Sequence, residues 1–382
     1  MPIADPRARL EAEAAAALID AAGPGVTPAH GWAPGRCTLV GEHVDYAGGL
    51  VLCLAVDLGV AAAVRPAHER RFLVTSGGVT VERDRAEPSG DMADRVLAPV
   101  VSLREGGVDV PYLEVGIATT LPAGVGLASS AALMVAMSAA VLRLTMRSMP
   151  ARDLAGVALH AERDVLGVPC GPLDQRAVID APAGGVLLLD CRTGDTTPLV
   201  WPWPEAVLVA CDTGTSHDVG GDAYRRRRQE TELGLAALGV RTCQELTAAA
   251  IEAAELEPAI KRRLHHVSGE SARTADAAKA LRNADLAGLG RLMSASHASL
   301  RDLHEVSTPE LDAVAAAAEQ VAGCAGARMV GAGFGGAVVA LTRRSSAAAC
   351  RKAMSDASGG GSTFDFRPSP GFAALAPDVV RG

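Results

Sequence analysis

The chain has 382 residues, of which 49% are apolar, and a formal net charge of −8. That length suffices for two domains, and the negative charge argues against a nucleic-acid-binding surface. Neither a signal-peptide core nor an uninterrupted apolar run of membrane-spanning length is recognisable, so we expect a cytoplasmic protein without a membrane partner. The eight cysteines include no Cys-x-x-Cys pair, which favours reduced thiols over disulfides or a zinc site.

After an N-terminal amphipathic helix, apolar runs enclose a polar cluster. Residues 33–57 read APGRCTLVGEHVDYAGGLVLCLAVD, which predicts a strand, a turn and a returning strand. The turn carries Glu42, His43 and Asp45. Carboxylate and imidazole groups that converge on one cavity suit a polyhydroxylated ligand, because charge-assisted hydrogen bonds are strong. The alternative is a hairpin with a solvated tip.

A second stretch rich in small residues, LPAGVGLASSAAL over residues 121–133, leads into a long helical pattern that ends at Leu144. Exposed N–H groups at a helix N-terminus bind anions, and glycines let the backbone approach a ligand closely. The alternative is an ordinary strand–turn–helix connection with Ser as the N-cap. The chain contains no Gly-Lys dipeptide, so this loop is not a Walker A motif.

The middle of the chain predicts a helix over residues 152–166 and then a bent Pro/Gly loop, residues 167–175, that delivers Asp174. Glu162 lies beside the apolar stripe of that helix, where a solvated role is the usual interpretation. The basic run Arg225–Arg228 is typical of a solvated helix face with acidic partners one turn away.

The C-terminal half is predicted to be largely helical. Helices are expected at residues 229–238, 243–256, 268–283, 286–303, 309–322 and 347–355. A glycine-rich turn at residues 331–336 matches GxGxxG, but a strand rather than a helix follows it. A dinucleotide-binding site is therefore not expected there.

Three glycine-bearing stretches, in this order, resemble one family. APGRCTLVGEHVDYAGG is similar to the galactokinase signature, LPAGVGLASSAAL to the phosphate-binding motif of the GHMP kinase superfamily, and GARMVGAGFGGAVVAL to its third motif. Similar stretches between them are HAERDVLGVPCGPLDQ, GDAYRRRRQETE, HVSGESARTADAAKAL and SHASLRDLHEVSTPELD. The resemblance covers residues 30–345, and the EHxDY segment narrows it to the galactokinase branch.

The resemblance implies a two-lobed α+β fold with mixed or antiparallel sheets, flanking helices and an active site in the inter-lobe cleft. The lobes are expected over residues 1–200 and 201–382. The implied reaction is magnesium-dependent transfer of the γ-phosphoryl group of ATP to the anomeric C1 hydroxyl of D-galactose, by a monomer. The alternatives are a related 1-kinase for N-acetylgalactosamine, arabinose or a uronic acid, and a catalytically silent galactose/ATP sensor.

The resemblance also implies roles for individual residues. Arg36 and Asp174 would flank the C1 hydroxyl as the catalytic pair. The residues that would hold the sugar are Glu42, His43, Asp45, Gly171 and Tyr224. The residues that would cradle the triphosphate are Gly124, Val125, Gly126, Leu127, Ala128, Ser129 and Ser130. Ser130 and Glu162 would ligate Mg²⁺, which prefers hard oxygen donors.

The chain departs from the usual family pattern at several positions. Thr38 and Ala47 replace the usual Asn and Asn/Thr, and Arg176 replaces an aromatic residue. The segment from Asp91 to Asp94 stands where the family has a Trp that stacks on adenine. The first two positions bear on the identity of the sugar, and the last bears on the choice of nucleotide.

Overall fold

A computed structural model describes residues 6–216 and 222–380. The strands in these ranges are β1 Ala29–Val40, β2 Leu50–Pro66, β3 Phe72–Ser76, β4 Val79–Arg83, β5 Leu113–Thr119, β6 Gly185–Asp190, β7 Thr196–Val200, β8 Ala206–Ser216, β9 Cys324–Val330, β10 Gly335–Arg343, β11 Thr363–Phe366 and β12 Pro368–Ser369. The helices are α1 Pro6–Ala22, α2 Ala93–Glu105, α3 Ser129–Leu144, α4 Ala151–His160, α5 Leu173–Asp180, α6 Asp222–Ala237, α7 Ala248–Ala253, α8 Pro258–Arg282, α9 Leu286–Ser299, α10 Pro309–Glu319, α11 Ala347–Ala357 and α12 Phe372–Leu375.

Within the described ranges the strands form two sheets. The larger has the order β4-β3-β5-β2-β6-β7, with β1 and β12 also paired to β2, and it is mixed because β3 and β5 run parallel. The smaller has the order β11-β8-β10-β9 and is antiparallel. The sheets and their flanking helices confirm the predicted α+β architecture.

The larger sheet is buried on both faces around β2, whose almost continuous apolar run points successive side chains to opposite faces. Ala61 and Ala63 pack towards α1, whereas Val60, Ala62 and Val64 face the core that contains α3. This packing fixes the β1–β2 hairpin, and the turn between these two strands carries the polar cluster. The hairpin predicted from the sequence is confirmed.

The smaller sheet is also buried on both faces. Val339 and Leu341 of β10 join the core shared with the larger sheet, whereas Val338 and Ala340 join a second core under α10 and α11. After β11 the chain crosses back, and β12 pairs with β2 of the larger sheet. The two predicted lobes, with their division at residue 200, stay a prediction, and their ends at residues 1–5 and 381–382 lie outside the described ranges.

Two local predictions were wrong, and a third was right only in part. Residues 243–256 form a short 3₁₀ turn and then α7, because Thr247 caps a new helix by accepting the N–H of Ala250. Asp174 stands in the first turn of α5 instead of in a loop, since the helix begins directly after Pro172.

Within the described residues, no helix is long and apolar enough to cross a membrane.

The basic run at the start of α6 is a solvated face only in part. Arg225 and Arg226 are exposed and Arg228 pairs with Glu232 as predicted, but Arg227 departs from the prediction. Arg227 is largely buried: its side chain is 15% exposed, and its Nε donates to the carbonyl of His304 at 2.8 Å. Its guanidinium also pairs with Glu230 and Glu305. The run therefore includes an anchor between α6 and the segment after α9, so it is not a uniformly solvated face.

Candidate active site

A pocket opens between the β1–β2 turn, the start of α5, the start of α6 and the turn between β9 and β10. The predicted site residues that line it are Arg36, Glu42, His43, Asp45, Glu162, Gly171, Asp174 and Tyr224. Gly331 and Ala332, which the sequence did not assign, complete its wall. The fold thus brings the predicted catalytic and sugar-binding residues to one cavity.

Arg36 and Asp174 form an ion pair in this pocket. Nε and Nη2 of Arg36 both donate to Oδ1 of Asp174, at 2.8 and 2.6 Å. Among the described residues no donor reaches Oδ2, and the Asp174 side chain is 33% exposed. Burial lowers the pKa of Arg36, but the carboxylates of Asp174 and Glu42 outweigh burial and raise the pKa overall. One oxygen of Asp174 is therefore held, and the other is left for a ligand.

The predicted phosphate loop, residues 124–130, adjoins this pocket through Arg36 and does not itself line it. The backbone N–H of Arg36 donates to the carbonyl of Leu127 at 3.0 Å, and its Nη1 donates to the carbonyl of Gly126. Ala128 adopts a left-handed conformation, with φ 55°, immediately before α3. The start of a helix leaves its first N–H groups without intrahelical partners, which is the donor set for an anion.

The glycine-rich third motif packs directly against the phosphate loop. A Cβ on Gly126 would lie 2.5 Å from the carbonyl oxygen of Val330, and one on Gly331 would lie 2.8 Å from Cα of Gly126. A Cβ on Gly336 would lie 3.1 Å from the carbonyl oxygen of Gly124. Glycine is needed on both sides of this contact because the two backbones approach so closely.

Glu162 lies in a π-helical segment, Ala161–Val165, that continues α4, and such segments are frequent at functional sites. Its Oε2 accepts a hydrogen bond from Nε2 of Gln175 at 2.7 Å. Burial raises the pKa of Glu162, and the nearby Ser130 side chain opposes that effect. In the described chain no cluster of three or more His, Cys, Asp or Glu side chains forms a metal site.

Glu42 is 4% exposed and faces the pocket. Its Oε1 accepts the backbone N–H of Gly331 at 2.7 Å. No donor within the described ranges reaches Oε2. Burial raises the pKa of Glu42, whereas the charges of Arg328 and Arg36 lower it. The turn therefore holds one carboxylate oxygen against the third motif and presents the other to the cavity.

Both ring nitrogens of His43 bond protein groups. Nε2 lies 2.9 Å from the carbonyl oxygen of Ala332, and Nδ1 lies 3.1 Å from the hydroxyl of Tyr46. A carbonyl only accepts, so Nε2 carries the proton and Nδ1 accepts from Tyr46. Burial lowers the pKa of His43 to about 3, which keeps the ring neutral. His43 thus fastens the β1–β2 turn to the glycine-rich turn.

Asp45 packs directly against Gly171 in the pocket, and a Cβ on Gly171 would overlap Oδ2 of Asp45. Burial, with the charges of Asp174 and Glu42 adding to it, raises the pKa of Asp45 to about 6. The ring of Tyr224, on α6, lies near that of His43, with centroids 5.5 Å apart. The pocket therefore combines carboxylates with an aromatic wall, a combination suited to a small polyhydroxylated ligand.

Comparison with known proteins decides the family. The galactokinase galactose-binding signature matches residues 25–66, the N-terminal domain of GHMP kinases matches residues 95–180, and the C-terminal domain of GHMP kinases matches residues 277–360. A Roseiflexus galactokinase is 37% identical over 85% of this chain and 86% of its own. The human galactokinase is 36% identical over 87% and 88%. The chain belongs to the galactokinase family.

A solved structure agrees with this assignment. Lactococcus lactis galactokinase complexed with galactose superposes with a TM-score of 0.87, at 28% identity, over 93% of this chain and 97% of its own. The family, the fold and the enzyme class predicted from the sequence are therefore confirmed. This galactokinase-family chain is a sugar kinase with ATP as co-substrate.

The departures from the galactokinase pattern lie away from the pocket wall. Thr38 and Ala47 are fully or almost fully buried, at 0% and 1% exposure, and neither lines the pocket. Arg83 occupies the region of the missing Trp segment, where its guanidinium pairs with Asp91 and Asp94. Thr38 and Ala47 thus have no direct access to a ligand in the pocket.

The sequence missed the residues of α8 that hold the galactokinase signature from behind. Glu270 accepts the N–H of Gly41 at 2.8 Å, Nε2 of His266 lies 3.2 Å from the carbonyl oxygen of Glu42, and Ser271 accepts the N–H of Leu50 at 3.1 Å. The stretch HVSGESARTADAAKAL resembles the family, but the resemblance implies no role for it. The available signal is the pair His266 and Glu270, four positions apart, which share one face of a helix.

Proposed function

We propose that this chain transfers the γ-phosphoryl group of ATP to the C1 hydroxyl of D-galactose and so forms galactose 1-phosphate. The observation that carries this proposal is the Arg36–Asp174 pair beside Glu42 and Asp45 in one pocket. The galactose-complexed Lactococcus lactis structure supports galactose as the sugar. Phosphoryl transfer needs mainly positioning and charge stabilisation, and the site supplies both.

Asp174 is proposed to receive the proton of the C1 hydroxyl. Its Oδ2 has no protein donor among the described residues, whereas both bonds from Arg36 go to Oδ1. As the C1 oxygen bonds to the γ-phosphorus, the bond from that phosphorus to the β,γ-bridging oxygen breaks, and ADP leaves. General base assistance of this kind contributes about 10²–10⁴ in rate. Arg36 keeps Asp174 in place and offsets negative charge on the transferred group.

The sugar hydroxyls are proposed to bond Oε2 of Glu42, the Asp45 carboxylate and the Tyr224 hydroxyl, all of which face the pocket. Gly171 makes room for the Asp45 carboxylate, since a side chain there would overlap that carboxylate. For His43 we propose an indirect role, because both of its nitrogens are engaged by Ala332 and Tyr46. It would meet the sugar through ring contact and keep the turn in register.

The phosphate groups are proposed to lie on the backbone of Gly124, Val125, Gly126, Leu127, Ala128, Ser129 and Ser130. The start of α3 and the left-handed Ala128 support this placement. Ser130 and Glu162 would hold Mg²⁺, since a hydroxyl and a buried carboxylate already in contact are hard oxygen donors. When bound, this ion neutralises charge on the β- and γ-phosphates.

The chain is also proposed to act as a cytoplasmic monomer. Its eight cysteines, all within the described ranges, are free thiols, as expected of a protein from a reducing compartment. Light scattering on a size-exclusion column measures the mass of the assembly. A mass of twice 38.9 kDa would contradict the monomer.

A coupled ADP-release assay over a panel of monosaccharides tests the function. We expect turnover with galactose to exceed turnover with N-acetylgalactosamine, arabinose and galacturonic acid. Preference for another sugar would indicate a related 1-kinase, and binding without turnover would indicate a sensor. Asp174→Asn is expected to abolish turnover while galactose still binds by calorimetry, because the amide keeps the shape but accepts no proton. Normal turnover of this variant, or lost binding, would contradict the role of Asp174.

A further inference from the structure

Arg328, near the end of β9, is a fully buried arginine beside the galactose pocket. Its Nη1 donates to the carbonyl of Thr38 at 3.1 Å, and its Nη2 lies 3.7 Å from Oε1 of Glu42. Neither Nε nor Nη2 has a hydrogen-bond partner in the described part of the chain. Arg328 stands in an otherwise apolar strand, and no sequence motif singles it out.

The other fully buried arginines are saturated with partners. Arg65 bonds Glu114 at 2.6 Å and the carbonyl of Gly23 at 2.9 Å. Arg263 bonds Glu230, Glu305 and a backbone carbonyl. A buried guanidinium with unpaired donors is unfavourable for stability, because its lost hydration is not replaced. Arg328 therefore contributes little to the stability of the fold, and stability does not explain why a charged residue is buried at this position.

That reason lies in the neighbouring carboxylate. Glu42 is only 4% exposed, yet its Oε2 faces the pocket. Burial raises the pKa of Glu42, and the strongest opposing influence is the charge of Arg328, ahead of that of Arg36. Without Arg328 a larger fraction of Glu42 would be protonated and would no longer accept a hydroxyl proton from the sugar.

We propose that Arg328 is a positioning residue for sugar recognition, whose buried charge keeps Glu42 an ionised and fixed acceptor for a galactose hydroxyl. This inference rests on the proposed function, which places Glu42 on the sugar. Arg328 itself does not line the pocket, so its effect on the sugar is indirect and is exerted through Glu42.

Several charged or titratable groups face Glu42 from the elements around it. They are Arg36 on β1, His43 and Asp45 on the same turn, Asp174 on α5, His266 and Glu270 on α8, and Arg328 on β9. Only the loss of Arg328 removes a cation without disturbing the Arg36–Asp174 pair. The readout is therefore the affinity for the sugar and its pH dependence, with turnover measured separately.

Arg328→Met is compared with Arg328→Lys, which keeps the charge, and with Arg65→Met, which breaks a buried ion pair away from the pocket. We expect Arg328→Met to raise the galactose KM and the calorimetric Kd by roughly 10- to 100-fold at pH 7. Loss of one hydrogen bond to a charged group weakens binding by about this factor. The weakened affinity should recover as the pH rises towards 9, by about tenfold per pH unit, because Glu42 then ionises.

The kinetics with ATP provide the internal control. The KM for ATP and kcat at saturating galactose should change by less than about threefold in Arg328→Met, because Arg328 does not line the pocket. Arg328→Lys should keep galactose affinity within the same margin at pH 7. Arg65→Met should lower the melting temperature and leave the galactose KM unchanged.

Two results would overturn the inference: wild-type galactose affinity in Arg328→Met, or a joint loss of sugar affinity, ATP affinity and kcat without recovery at high pH. If Arg328→Met does not fold, Glu42→Gln/Arg328→Met removes both charges together and should bind galactose as Glu42→Gln alone does. Different affinities, or failure of this double variant to fold, would also overturn the inference. An inactive wild type would instead overturn the proposed function.

Discussion

Glu270 accepts the backbone N–H of Gly41 at 2.8 Å, across 229 residues of sequence. The same oxygen accepts the Ser296 hydroxyl at 2.5 Å, and the other oxygen binds Nε of Arg273 at 2.8 Å. Gly41 has a φ of 113° and directly precedes Glu42. The fully buried carboxylate of Glu270 on α8 thus holds the backbone of Gly41, the residue that directly precedes Glu42.

Glu270→Gln should lower the stability of the protein at neutral pH and flatten its decline in acid. Burial by itself raises the pKa of Glu270, but His266, Arg273 and Arg328 lower it to about 2, from an ordinary 4.5. A depressed pKa stabilises the fold above pH 4.5, and that contribution is lost as the pH falls towards 2. The shift corresponds to about 3 kcal/mol. Denaturant titrations should show a loss of this size at pH 7 and a shallower decline of stability between pH 5 and 3.

The matched control for that variant is Glu69→Gln, on an exposed carboxylate whose side chain is 73% accessible. Its stability profile should follow that of the wild type, because surface ion pairs contribute little. Parallel profiles for Glu270→Gln and the wild type would show that Glu270 is not the group that titrates.

Gly126→Ala and Gly124→Ala separate backbone strain from steric contact in the phosphate loop. Both glycines have positive φ, 71° and 76°, so either alanine adds about 1 kcal/mol of strain. Only at Gly126 would the new Cβ meet backbone, at the carbonyl of Val330, whereas the surroundings of Gly124 are open. We expect Gly124→Ala to raise the ATP KM only a few-fold and Gly126→Ala to raise it by at least about 100-fold. Similar kinetics for the two variants would contradict close packing of the loop on the third motif.

Galactose affinity should fall as the pH drops below 6. Burial, reinforced by Asp174 and Glu42, raises the pKa of Asp45 to about 6, so this carboxylate protonates between pH 7 and 5 and no longer accepts a sugar hydroxyl. Calorimetric Kd values should rise by up to about tenfold per pH unit below the pKa. Asp45→Asn should bind more weakly throughout and lack the step at pH 6. A step that persists in Asp45→Asn would assign the titration to another group, such as Glu42.

The ordered glycine motifs were enough to predict the family and the fold, because glycines at fixed spacing mark positions where the backbone must turn sharply or approach another segment closely. The family resemblance then implied that Arg36, Asp174 and Glu42 lie in one site. The buried polar residues behind the site were beyond such reasoning. Arg328 reaches Thr38 across 290 residues, and nothing local distinguishes it from a solvated arginine. The start of α5 was missed because Pro172 reads as a loop residue, although it directly precedes the first helical turn.

Glu162→Gln should raise the magnesium requirement without weakening galactose binding. The buried carboxylate accepts a hydrogen bond from Gln175, lies near Ser130 and faces the pocket, and an amide is a poorer ligand for a hard cation. We expect the Mg²⁺ concentration for half-maximal rate to rise by about 10- to 100-fold while the calorimetric Kd for galactose stays constant. Asp164→Asn, two residues away and paired with Arg163, is the control. A wild-type magnesium dependence in Glu162→Gln, or a parallel loss in Asp164→Asn, would remove Glu162 from the proposed metal site.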